Sequence, residues 1–155
     1  MNHSRFVRFH NQLNALDDLL AGLSVQQLQQ QGQPGKWSIF EQIAHLARYQ
    51  VVFQQRIDLI CQTDQPHFDR YIADDDPNFA PWLVLTTTEL LAQLKQDRAA
   101  LNHTLATLTD IQLRRTGTHP TFGAMDLEGW TEFFLLHEAH HFLSIMRLAA
   151  SAKNG

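Results

Sequence analysis

The chain has 155 residues, 44% of them hydrophobic, and a formal net charge of −4 from 12 Lys+Arg against 16 Asp+Glu. That length fits one domain over residues 1–155 with a workable core, and the lack of a basic patch argues against nucleic acid or an anionic membrane as partner. The single cysteine, Cys61, excludes an internal disulfide and makes a reducing cytoplasm the default; no signal peptide is expected, and no apolar run reaches the roughly 20 residues that span a bilayer.

Apolar residues at Phe6, Phe9, Leu13, Leu16, Leu20 and Leu23 recur in steps of three and four, which predicts an amphipathic helix over residues 4–23, ending near Gly22. The glutamine-rich stretch Gln26–Gln31 reads as a short solvated helix running into a loop, broken by Pro34-Gly35. Ser38 and Glu41 form the signature of a capping box and open a second helix. Its apolar series Phe40, Ile43, Ala44, Ala47, Val51, Ile57 and Ile60 carries it to about Cys61, which reads as a packed core residue.

From about Thr63 to Leu85 the chain is irregular, with Pro66, Pro77 and Pro81, and a connection this long is often functional. Its acidic triplet Asp74-Asp75-Asp76 reads as a solvated turn, because no calcium-loop pattern surrounds it. Thr86 and Glu89 restart helix, and Leu90, Leu94, Leu101, Leu105 and Leu108 form its stripe. Asp110–Arg115 adds a further turn, and residues 116–125, with two glycines and a proline, read as a loop. Asp126 caps a fourth helix running to about Ala150. No segment is β-patterned. Four helices of roughly 20 residues predict an all-α four-helix bundle, a fold whose core commonly carries metal sites.

The chemistry concentrates in the fourth helix. His137 and His141 lie four apart within its apolar stripe, so both imidazoles share one face and can share one divalent metal. His137-Glu138-Ala139-His140-His141 also matches the HExxH of zinc proteases. Such an enzyme takes its third ligand from downstream, and the residues after His141 contain no His, Asp, Glu or Cys, so the third ligand is expected upstream. His45, in the second helix, is the best candidate. His103 is a weaker one, and His119, in the loop before the fourth helix, could line the site; spacing does not choose between His45 and His103.

Trp37-Ser38, Glu41-Gln42-Ile43-Ala44-His45-Leu46, the late series Phe134, His137, His140 and His141, and the approach His119-Pro120 with Gly123-Ala124-Met125 resemble the DinB-like superfamily over nearly the whole chain. The resemblance implies a four-helix bundle of up-down-down-up topology, a divalent metal on His45, His137 and His141, and a homodimer. Relatives include metal-dependent transferases that use bacillithiol, mycothiol or glutathione. The function expected is a thiol S-transferase acting on small electrophiles with a low-molecular-weight thiol as cosubstrate. Two alternatives stand beside it: a metal-dependent hydrolase of the same fold, and a non-catalytic dimeric bundle whose metal is structural or absent.

Three neutral imidazoles leave a coordination position open, which suits Zn²⁺ or Ni²⁺, with Co²⁺ and Fe²⁺ as further possibilities. The open position could activate a thiol or water. Glu138 is a candidate general base if the helix turns it towards the site, and otherwise a supporting or solvated residue. Glu41 either orients His45 or caps its helix. Trp37, Tyr49, Phe122 and Trp130 are candidate pocket walls, and Arg48 could meet an anionic substrate.

Overall fold

The computed structural model describes residues 2–154. Helix one is broken: α1 (His3–Asn11) passes through a 3₁₀ turn at Gln12–Asn14 into α2 (Ala15–Leu20), and Gly22 turns the chain with a φ of 79°. A short α3 (Val25–Gln29) follows, with a capping box between Ser24 and Gln27. The long helices are α4 (Ile39–Gln62), α5 (Thr87–Thr107) and α7 (Leu127–Asn154), with the single turn α6 (Asp110–Leu113) between the last two.

The starts follow local chemistry. Ser38 Oγ accepts from the Glu41 amide while Glu41 Oε2 accepts from the Ser38 amide, and Thr86 with Glu89 repeats the arrangement. Asp126 Oδ1 accepts from the Gly129 amide at the entry to α7. α4 is apolar on most of its circumference because α3, α5, α7 and the 3₁₀ turn Ala80–Val84 all pack on it. The connection from residue 63 to 86 is thus a cover over α4, with 3₁₀ turns at Ala73–Asp75 and Ala80–Val84.

Side-chain pairings give the topology. Gln50 and Gln54 of α4 meet Arg98 and Thr104 of α5 in the same order, so these helices are parallel. Gln42, His45 and Phe53 of α4 meet His141, His137 and Phe134 of α7 in reverse order, so these are antiparallel. Arg5 reaches Glu128, Gln12 reaches Glu138 and Lys153 reaches the Leu19 carbonyl, which makes helix one parallel to α7. The bundle runs up-down-down-up, and the crossing connection lets α4 and α5 point the same way.

One expectation is corrected. Residues 116–126 are a β-hairpin, β1 (Thr116–His119) against β2 (Gly123–Asp126), antiparallel with His119 opposite Gly123. The His119 ring builds its turn: Nδ1 accepts from the amides of Thr121 and Phe122. Gly123, at a φ of 73°, supplies the left-handed residue that closes it. The hairpin seats against α4 at Gly117, where a Cβ would lie 2.7 Å from Phe68 and 2.8 Å from Ile60. The crossing connection is tied to it, since the Thr118 amide donates to the Pro66 carbonyl and the Phe68 amide to the Thr118 carbonyl.

The core has two apolar clusters. One gathers Ile43, Ala47, Leu90, Leu94, Ile145 and Ala149, the other Phe9, Phe53, Ile57, Trp130 and Phe134. Between them lies a buried polar layer to which each bundle helix contributes. Glu138 Oε2 accepts from Gln12 Nε2 at 2.9 Å, and its Oε1 accepts from Arg98 Nη2 and from Gln50 Nε2. Arg98 Nε donates to Gln50 Oε1 and its Nη1 to the Phe9 carbonyl. Among the described residues no helix is long and apolar enough to cross a membrane.

Candidate metal centre

The antiparallel pairing of α4 and α7 sets His45 against the His137–His141 pair. His137 Nε2 lies 2.9 Å from His45 Nε2 and 3.2 Å from His141 Nε2. Ligand atoms of all three residues fall within 4.8 Å of one another. His45 and His141 are buried and His137 nearly so. Burial holds their imidazoles well below the ordinary range: His45 is lowered to about 4 by burial alone. His141 is lowered to about 3 by burial, then by His45 and His140. His137 is lowered to about 2 by burial, then by His141, His45 and further positive neighbours. At neutral pH all three are uncharged, the form in which imidazole binds metal.

The donor set fits a cation. His141 Nδ1–H donates to Gln42 Oε1, which fixes the tautomer and leaves the Nε2 lone pair pointing at its neighbours. Three imidazole nitrogens facing one another at 2.9 and 3.2 Å crowd lone pairs that hydrogen bonding cannot fully satisfy. Ligand atoms bonded at about 2.1 Å around a tetrahedral ion would stand about 3.4 Å apart, close to these separations. Nδ1 of His45 and Nδ1 of His137 are buried without a protein partner.

The cluster lines a cleft of about 640 Å³, whose walls also include Trp37, Tyr49, Tyr71, Arg56, His119 and Phe122. The Trp37 ring lies 5.0 Å from His45, and Tyr49 packs 4.2 Å from His137. Burial raises the Tyr49 phenol, against an opposing pull from Arg56. Burial, then the nearby Arg56 charge, lowers the His119 pKa. A second cleft of about 700 Å³, with Lys36, His140 and Arg147 in its wall, also touches Trp37 and His141.

Of the residues singled out in the sequence, the structure brings His45, His137 and His141 together and puts Trp37, Tyr49, His119 and Phe122 on the cleft. Four others are placed elsewhere. Glu138 is 0% exposed, and its carboxylate is spent on Arg98, Gln12 and Gln50 in the polar layer, which corrects its candidacy as a base. Trp130 is fully buried below the cleft, its indole N–H donating to the Gly117 carbonyl. Arg48 is 8% exposed and its Nε donates to Asp76 Oδ2 at 2.6 Å, so its charge is consumed within the fold. His103 is exposed on α5, apart from the cluster.

Asp76 is likewise no solvated turn residue, since it also accepts from the Tyr71 hydroxyl and the Asn78 amide. Burial works to raise its pKa, and the hydrogen bonds from Arg48, Asn78 and Tyr71 outweigh that and lower it. Sequence reasoning passed over Gln42, Arg56 and Tyr71. Gln42 lies one turn before His45 and Arg56 two turns after Tyr49, spacings that share a helix face.

The profile of the DinB superfamily matches residues 8–145, and the chain belongs to that superfamily. The fold is that of YfiT from Bacillus subtilis, described as a probable metal-dependent hydrolase with an unusual four-helix bundle topology. The two share 22% identity at a TM-score of 0.76, over 96% of this chain and 85% of YfiT. No protein of curated function matches the chain.

Proposed function

We propose that this member of the DinB superfamily is a metal-dependent hydrolase of small molecules, its divalent ion held by the Nε2 atoms of His45, His137 and His141. The observation that carries the reading is the convergence of those three neutral imidazoles in the wall of an open cleft. When bound, the ion supplies a Lewis acid and a means of generating a nucleophile at neutral pH. The description of YfiT as a probable metal-dependent hydrolase supports hydrolysis as the reaction class.

The chain's own residues do the rest. Gln42 holds the His141 ring in one tautomer and orientation. Trp37, Tyr71 and Phe79 pack their rings around His45 and keep water from its flanks, which strengthens electrostatic interactions at the site. Tyr49 braces His137 from the cleft side.

A second reading, thiol S-transfer, is favoured by the second cleft that shares Trp37 and His141. Its basic wall of Lys36 and Arg147 gives room for a second, polar cosubstrate beside the same histidines. The deciding experiment is a metal analysis of the purified chain, followed by assays of the zinc- and nickel-loaded protein. Ester and amide panels test hydrolysis; low-molecular-weight thiols with aryl halides test transfer. One equivalent of metal and hydrolytic turnover lost in His45→Ala is expected. Turnover only when a thiol is present would replace hydrolysis by transfer, and no turnover in either panel would overturn both.

A further inference from the structure

Three arginines are buried among the described residues: Arg48 at 8%, Arg56 at 7% and Arg98 at 3% exposure. Arg48 is paired with Asp76, and Arg98 with Glu138. Arg56 has no carboxylate within ion-pair distance among the described residues. Its Nη1 donates to the Tyr49 hydroxyl and its Nη2 to the Asp69 carbonyl, both at 3.0 Å. These are neutral acceptors, and they use two of the five N–H groups a guanidinium carries. The cation is sandwiched by aromatic rings, 5.3 Å from Trp130, 5.4 Å from Phe68 and 5.8 Å from Tyr49. A buried charge without a counter-ion is costly, and this one lies in the wall of the cleft that the three histidines also line.

Its surroundings supply more donors of the same kind. The Tyr49 hydroxyl accepts from Arg56, and its own O–H has no acceptor among the described residues. His119 Nδ1 accepts two backbone amides, so the ring proton is on Nε2, and no acceptor among the described residues meets it. His119 packs 5.6 Å from the same Trp130 ring that carries Arg56, and Tyr49 and His119 both line the cleft. Arg70 adds a second cation to the wall and forms no ion pair among the described residues, against one carboxylate in the wall, that of Asp74. The wall is therefore a concentration of unspent donors and positive charge in a chain whose net charge is −4.

We propose that the cleft takes a substrate bearing a carboxylate, held by Arg56 with the hydroxyl of Tyr49 and Nε2–H of His119, while its reacting bond faces the three histidines. This deepens the hydrolase reading by naming the substrate class. Arg56 is a binding residue in it, and Arg70 at the exposed rim attracts the anion.

The test is calorimetric titration of the full chain with benzoate and with its neutral counterpart benzamide, in zinc-loaded and in chelator-stripped protein. Benzoate is expected to bind about tenfold tighter than benzamide in both forms, as a charge-assisted contact requires. Arg56→Gln should erase that preference, and Arg70→Gln should reduce it by about threefold. Should Arg56→Gln fail to fold, Tyr49→Phe decides, because it keeps the ring and removes the O–H; benzoate should weaken and benzamide should not. Equal affinities in the stripped wild type overturn the proposal. So does a benzoate preference that needs zinc and survives Arg56→Gln, since the anion is then held by the metal alone. Failure of the metal to bind would sink the hydrolase reading and leave the stripped-protein result standing.

Discussion

His141 Nδ1–H donates to Gln42 Oε1 across the α4–α7 interface, and the other nitrogen of the same ring faces His137 at 3.2 Å. One hydrogen bond thus decides which nitrogen of the histidine is free. His141→Ala is expected to abolish stoichiometric zinc while the far-ultraviolet circular dichroism stays that of the parent. Gln42→Ala should keep all three imidazoles and weaken zinc by about 10–100-fold. Competition against a chromogenic chelator measures both.

Metal-free protein should lose stability as the pH falls. The three histidines are held at about 4, about 2 and about 3 when folded, against about 6.5 when unfolded. The unfolded chain therefore binds more protons at acid pH. The contribution is complete above about pH 6.5 and drains away as pH falls through about 4 and below. Thermal melts of stripped protein from pH 7.5 to 4 check this, and His137→Phe should flatten the slope. The same lowered values make protons weak competitors for the site, so zinc should be retained well below pH 6.5, where free imidazole would release it.

Glu138→Gln leaves Arg98 buried without its counter-charge and should cost about 3–5 kcal/mol, read from denaturant unfolding. Zinc stoichiometry should not change, since the carboxylate faces Gln12, Gln50 and Arg98 and not the cluster. The double variant Arg98→Met/Glu138→Leu should recover much of the loss. A Glu138→Gln protein of full stability that bound zinc but lost all turnover would return Glu138 to the reaction.

Asp76→Ala removes the partner of Arg48 and the acceptor of the Tyr71 hydroxyl. The expected loss is about 3 kcal/mol, and limited proteolysis should cut faster within residues 63–85. Tyr71 packs on His45 and Tyr49, so the effect should extend to the cleft and lower benzoate affinity without altering zinc content.

Much of this was legible in the chain because it is local. Ser38 with Glu41 and Thr86 with Glu89 start their helices through bonds three residues long. The spacing of His137 and His141 is one helical turn, and the upstream search for a third histidine led to His45. What escaped depends on distant partners or on rotation about an axis. Asp76 looked like part of an acidic turn because Arg48 is 28 residues away. Arg56 carried no signal in the sequence, because Tyr49, Phe68 and Trp130 surround it only in the fold. Glu138 follows His137 directly, and about 100° of rotation turns it off the histidine face of α7 towards Gln12, Gln50 and Arg98. The hairpin has strands of four residues each, and its turn is held by a histidine side chain that no strand pattern announces.

The polar layer of Gln12, Gln50, Arg98 and Glu138 also acts as an alignment gauge. Glu138 adjoins His137 in sequence, and Gln50 follows His45 on the same helix, so the layer and the histidines report the same vertical offset of α4 against α7. Sliding α7 by one turn, about 5.4 Å, would part His45 from His137 and at the same time strand the Arg98 charge in the core. The wrong offset is thereby rejected by an unpaired buried charge, which apolar packing alone does not enforce. Histidines brought together across α4 and α7 are then a by-product of folding in the correct register.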